Sequence, residues 1–271
     1  IIEKECYKIL IKEKTNEIEI IFEKKYIEEK MFVERNYEKI SNLISDLWGL
    51  IKPESIKIII TDSYTKYCLN IYSINELIAL MIIFPYWLFK IRHFFKEIGA
   101  IDLNVEKPSI LIKSMNFFKK KPEVGVGNLI YIESKNIQEK YKHGFVSLII
   151  SIRLHEIKCP KWLGSGIGSF TSEKFLSRNI VRKDTINLLS IQNKNKDLNS
   201  VNTAYPHVLG YWTVRYLEEN YPGFLKKIFK RYKGEEIVDQ IRLQLGLSQE
   251  NFWDQLDELL YENYKHLLDN K

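Results

Sequence analysis

The hydrophobic pattern changes period near Asn136, and that change limits the folds open to the chain. Before it, short apolar runs alternate with helical spacing. Tyr7-Lys-Ile-Leu-Ile-Lys, Glu17-Ile-Glu-Ile-Ile-Phe, Ser55-Ile-Lys-Ile-Ile-Ile, Ser109-Ile-Leu-Ile-Lys and Gly127-Asn-Leu-Ile-Tyr-Ile-Glu read as strands. Between them, Ile27, Met31, Tyr37, Ile40, Ile44 and Leu47 have the spacing of one buried helix face. A second helical stretch covers 74–98, with a break expected at Pro85. After Asn136 only helical spacing remains, over about 137–157, 162–177, 204–220, 223–232, 235–245 and 248–268, with Ser248 a plausible N-cap. Mixed strand and helix followed by helix alone predicts an α+β fold, with an α/β subdomain over 1–135 and a helical subdomain over 136–271.

Composition narrows the class of function. Hydrophobic residues make up 45% and charged residues 28% of 271, which excludes a disordered chain. The formal charge of +6 is spread over many lysines and is a weak argument for nucleic acid, so none is expected as partner. Cys6, Cys68 and Cys159 are odd in number and widely spaced, with no metal-type pairing. They read as core thiols and favour a reducing, cytoplasmic setting. No signal peptide is visible. The longest uncharged apolar run, Leu77 to Phe89, has 13 residues, where a membrane span needs about 20, so no stable span is expected. The run is followed by Lys90, Arg92, His93 and Lys96, the layout of a surface-seeking segment, although a buried helix is the plainer reading.

Two stretches carry a resemblance: His143-Gly-Phe-Val-Ser147 and Pro160-Lys-Trp-Leu-Gly-Ser-Gly-Ile-Gly-Ser-Phe170. Together they resemble the gluzincin metallopeptidases and, within them, the peptidase-MA-like domains. That family carries His-Glu-x-x-His on one helix and a Glu ligand on the next, which opens Pro-x-Trp-Leu-x-Glu-Gly. Two imidazoles four residues apart share a helix face and converge on one ion. A third ligand leaves the fourth position open for water. Further downstream, Ala204-Tyr-Pro-His-Val-Leu-Gly-Tyr-Trp and the helix pair from Ile237 resemble the family's closing helices.

The resemblance places His143 at the first zinc ligand, Gly144 at the general base, Ser147 at the second ligand and Ser165 at the Glu ligand, 18 residues after Ser147. One imidazole does not hold a catalytic zinc, and a missing carboxylate base costs roughly 10²–10⁴-fold in water activation. The implied protein is a degenerate metallopeptidase with no cofactor. The resemblance also puts Tyr205, His207 and Tyr211 near the oxyanion-stabilising position, where buried interface aromatics are the competing reading. It makes Asn128, Leu129, Ile130 and Tyr131 an edge strand along which a peptide or protein segment lies.

Two enzyme readings stand beside this one. His155 and Cys159 form His-Glu-x-x-Cys, and imidazole with thiolate binds zinc; Pro160 and the closeness of Glu173 weigh against it. Alternatively, His143 and Ser147, four apart, act without metal as base and nucleophile, with no third group to orient the imidazole. A structural reading treats the cleft as vestigial.

Overall fold

The computed structural model describes residues 10–14, 18–53, 56–63, 66–67, 70, 75, 78, 82, 100–103, 109–120, 132–133, 135–190 and 204–268. The chain divides into two compact units, Ile1–Lys39 with Pro53–Gly127, and Ile40–Lys52 with Asn128–Lys271. The fold is mixed: a sheet in the N-terminal part and mostly helix after it.

In the first unit, strands β1 (Leu10–Lys14), β2 (Ile18–Glu23), β3 (Ile56–Ile60), β4 (Ala100–Leu103) and β5 (Ser109–Ile112) form one sheet in the order β1-β2-β3-β5-β4. β2, β3 and β5 run parallel, and β1 and β4 flank them antiparallel. Each parallel strand carries an apolar run of three residues, and Ile20, Ile21, Phe22, Ile58, Ile59, Ile60 and Leu111 are all buried. A strand enclosed on both faces needs no polar alternation, which is why these runs read so plainly. The carboxyl ends of the parallel strands carry polar residues. Glu23 meets Lys66 at 2.8 Å, and Asp62 accepts from the amide of Ser114 at 2.8 Å and from its hydroxyl at 2.6 Å. Ser114 opens the short helix α2 (Met115–Lys120), where its Oγ also accepts from the amide of Phe117.

Helix α1 spans Ile27–Trp48. Its buried stripe is Val33, Tyr37, Ile40, Ile44 and Trp48, while Ile27 and Met31 are exposed. The expected buried face thus starts one turn too early, because Val33 and Trp48 complete the stripe and Ile27 and Met31 fall off it. Strand β4 was not foreseen. The expected strand 127–133 lies outside the described residues except for its end, where Ile132 bridges Val181. The break expected at Pro85, most of 74–98, Cys6 and Cys68 also lie outside them.

The second unit is built from α3 (Ile137–Glu156), α4 (Lys161–Leu176), α5 (Tyr205–Asn220), α6 (Phe224–Ile228), α7 (Glu235–Leu245) and α8 (Phe252–Tyr264). Asn136 caps α3 by accepting from the amide of Glu139 at 3.0 Å. Ser248 is not an N-cap: its hydroxyl bonds Gln255, and α8 begins only at Phe252. A 3-10 stretch over Lys183–Leu189 was also not foreseen.

Helices α4 and α5 meet backbone to backbone. A Cβ on Gly166 would lie 2.1 Å from the carbonyl carbon of Gly210, and one on Gly210 would lie 1.9 Å from the carbonyl oxygen of Trp162. The glycine of the Pro-x-Trp-Leu-x-x-Gly stretch is therefore required by helix packing. The C-terminal end of α1 is closed by Gly49 in the left-handed conformation, φ +66°, and by the guanidinium of Arg153 on α3. Arg153 is fully buried and donates to the carbonyls of Ser41 and Leu50 and to the hydroxyl of Ser45. A cation at a helix C-terminus satisfies orphan carbonyls and opposes the helix dipole.

Candidate functional site

His143 lies in the second turn of α3, buried against α4. Its Nδ1 is 2.7 Å from the Oγ of Ser172. That hydroxyl itself donates to the carbonyl of Gly168 at 2.8 Å. A hydroxyl has one proton, so Ser172 accepts from His143, which puts the imidazole proton on Nδ1 and leaves Nε2 as the acceptor nitrogen. Burial pushes the pKa of His143 down to about 4, so the ring is neutral near pH 7. A metal-binding histidine is oriented in this manner, its second nitrogen tied to a hydrogen-bond partner.

The other positions given by the resemblance are spread along the α3–α4 seam. Gly144 is buried beside His143 and brings no carboxylate. Ser147 is half-buried and faces α4 at Gly168, where an added Cβ would meet its Oγ at 3.4 Å. Ser165 is half-buried, two helical turns before Ser172, which is about 10 Å along the helix axis. The serine that meets the imidazole is thus Ser172 and not Ser147, because antiparallel packing sets Ser172 opposite His143 and Gly168 opposite Ser147. Among the described residues the hydrogen bond of His143 goes to Ser172, and none joins it to Ser147.

Tyr205 and His207 open α5. Tyr205 is buried and donates to Asp257 of α8 at 2.7 Å; burial and that aspartate both hold its phenol protonated. It fastens α5 to α8. His207 is half-buried on the same turn. Tyr211 is buried and donates to Glu173 at 2.9 Å, while Arg215 donates to Tyr211 at 3.0 Å and to Glu219 at 2.8 Å. Tyr264 also donates to Glu219, at 2.6 Å. A continuous polar line therefore runs Glu173, Tyr211, Arg215, Glu219, Tyr264 across α4, α5 and α8.

The other oxygen of Glu173 faces the chain beyond α4. It accepts from the amides of Ile180 and Val181 at 2.7 and 3.1 Å. The same segment receives the amide of Glu133 on the carbonyl of Ile180 at 2.7 Å, and Val181 bridges Ile132. Arg178 donates to the carbonyl of Glu133 at 3.0 Å and pairs with Glu139, whose carboxyl is held below its usual range by that hydrogen bond. The end of the expected edge strand is thus clamped by Glu173, Arg178 and Glu139. Asn128, Leu129, Ile130 and Tyr131 lie outside the described residues. Neither Ser172 nor the clamp was foreseen.

His155 and Cys159 do not share a helix face. α3 ends at Glu156, and Lys158 takes the left-handed conformation at φ +52°. His155 is exposed, and burial pushes the Cys159 thiol up to about 12, which disfavours the thiolate a metal requires. Among the described residues, no group of three or more His, Cys, Asp or Glu is placed to hold a metal ion. No helix among them is long and apolar enough to cross a membrane. No protein-family model matches the chain, and no curated protein matches it.

Proposed function

We propose that the chain is a catalytically degenerate, gluzincin-like protein that binds an extended peptide or protein segment beside the helix bearing His143, without a zinc ion. The supporting observation is the His143–Ser172 pair. Its Nδ1 is tied to a hydrogen-bond partner, as in a metal-binding histidine, and the alignment that the resemblance implies sets Gly144 at the base and Ser147 and Ser165 at the other ligands. The extended end of the strand at Ile132–Glu133, held on one side by Ile180 and Val181, agrees with a strand-like recognition surface leading into α3. An extended peptide adds to such a strand through backbone hydrogen bonds. A reducing, cytoplasmic setting belongs to the same reading.

Two measurements test it. Elemental analysis of protein purified without chelator should find no stoichiometric zinc; one zinc per chain, lost on His143→Ala, overturns the degenerate-site reading. A screen of extended peptides should yield ligands for the intact chain and lose them in a folded Ile130→Pro variant, since proline removes a backbone donor. Binding that is absent, or unchanged in that variant, leaves the cleft vestigial.

A further inference from the structure

The second unit carries two surfaces of opposite charge. The first is the basic turn that follows α6. Lys226, Lys227, Lys230, Arg231 and Lys233 fall close together, and no acid stands between Glu219 and Glu235. Leu225, Ile228 and Phe229 are buried beneath them. The backbone is fixed as well: the amide of Tyr232 donates to Ile228 at 2.9 Å, and that of Gly234 donates to Ile157, at the end of α3, at 3.0 Å. The second bond sets exposed Lys158 beside Gly234. Lys226 serves the end of α1, donating to the carbonyl of Asp46 at 2.7 Å. Lys227, Lys230, Arg231 and Lys233 are exposed. Asp46, Glu156, Glu235 and Glu236 border the turn, yet among the described residues no carboxylate forms an ion pair with these four cations or with Lys158.

The second surface is on α8. Asp254, Glu258 and Glu262 recur every four residues and are exposed, with exposed Glu250 just ahead of the helix. Residues four apart form one row along a helix. No cation stands between Arg242 and Lys265, which pairs with Glu262 at the end of the row. Like charges held this close repel one another, and an opposite surface relieves both sets at once.

We propose that the basic turn of one copy docks on the acidic row of α8 in a second copy. An outside polyanion would meet the turn alone and leave the acidic row without a role; a second copy accounts for both. The net charge of +6 does not forbid it, because at 0.1 M salt charges more than about 10 Å apart are largely screened and the facing surfaces decide. Ion pairs at a surface contribute little each, so the association is reversible and salt-sensitive. It stands apart from the His143 site and from peptide binding there.

The experiment is sedimentation equilibrium of the full chain, freed of nucleic acid, at low and high salt. The expected result is association at about 0.1 M salt that weakens roughly tenfold or more at about 0.5 M. Lys227→Glu/Arg231→Glu and Glu250→Lys/Glu258→Lys should each stay monomeric where the intact chain associates. An equimolar mixture of the two should pair, because the first variant keeps the acidic row and the second keeps the basic turn. All four positions are exposed, and thermal melts check that both variants fold. An intact chain that stays monomeric up to about 1 mM, association that either variant leaves unchanged, or a mixture that does not pair overturns the proposal. Binding of an added single-stranded oligonucleotide through the turn, without self-association, assigns the turn to nucleic acid and overturns it as well.

Discussion

The Nδ1 of His143 and the Oγ of Ser172 are 2.7 Å apart, and the proton between them belongs to the imidazole because the serine's own proton goes to Gly168. The pair joins α3 to α4 through a neutral ring.

That neutrality has a pH signature. In the unfolded chain His143 takes up a proton near pH 6.5, while in the folded chain burial delays this to about 4. Between those values the unfolded state binds more protons, so stability falls as pH is lowered from about 6.5 and levels off below about 4. The full effect is roughly 3 kcal/mol, from about 1.4 kcal/mol per pH unit of separation. Urea denaturation over this range, compared with a folded His143→Gln variant, measures it. An equal pH slope in the variant would show that other groups dominate.

Two glycines of α4 should respond oppositely to alanine. Gly166→Ala places a methyl 2.1 Å from the backbone of Gly210 and must push the helices apart, at a cost on the order of 3 kcal/mol. Gly168→Ala meets the Oγ of Ser147 at 3.4 Å and the Cγ2 of Ile150 at 3.7 Å, ordinary contacts, and gains up to about 1 kcal/mol of helix propensity. Thermal or chemical melts of the two variants decide it; similar midpoints would contradict the packing described.

Glu173→Ala strips the amides of Ile180 and Val181 and the hydroxyl of Tyr211 of their acceptor. The expected destabilisation is roughly 3 kcal/mol or more, with Glu173→Gln costing less because it retains one carbonyl oxygen. Hydrogen exchange should show the two amides losing protection in Glu173→Ala beyond the global change. Protection that persists would remove Glu173 from the clamp.

Cys159 should be a slow thiol. A pKa pushed up to about 12 leaves its thiolate fraction near neutral pH roughly a thousandfold below that of an ordinary cysteine. Iodoacetamide labelling, followed by peptide mass mapping, gives the rate at this position, with an unfolded sample as reference. Labelling at the unfolded rate would refute the burial.

The core strands were legible because Ile58-Ile59-Ile60 and Ile110-Leu111-Ile112 have no other use for uninterrupted apolar text. The helices of the second unit were legible to within a few residues for the corresponding reason. Strand β4 was hidden because Ala100-Ile-Asp-Leu103 is only four residues long and interrupted by Asp102, as an edge strand can be. In the candidate site, His143 and Ser147 were named from the sequence, while Ser172, the hydrogen-bond partner of His143, was not. A hydroxyl that accepts from an imidazole has no signature of its own, and only the offset between α3 and α4 chooses among Ser165, Ser169 and Ser172. The His155–Cys159 spacing promised a shared face until Lys158, a residue with no special licence for positive φ, turned the chain out of the helix.

The contact between Gly166 and Gly210 bears on how kin of this chain are to be sought. A substitution at an exposed position usually leaves a folded protein. The glycine pair has no such freedom: changing either residue alone drives a side chain into the opposite backbone. A search built on Trp162-Leu163, Gly166 and Gly210, at their spacing in this chain, follows the part of the text that packing itself holds in place.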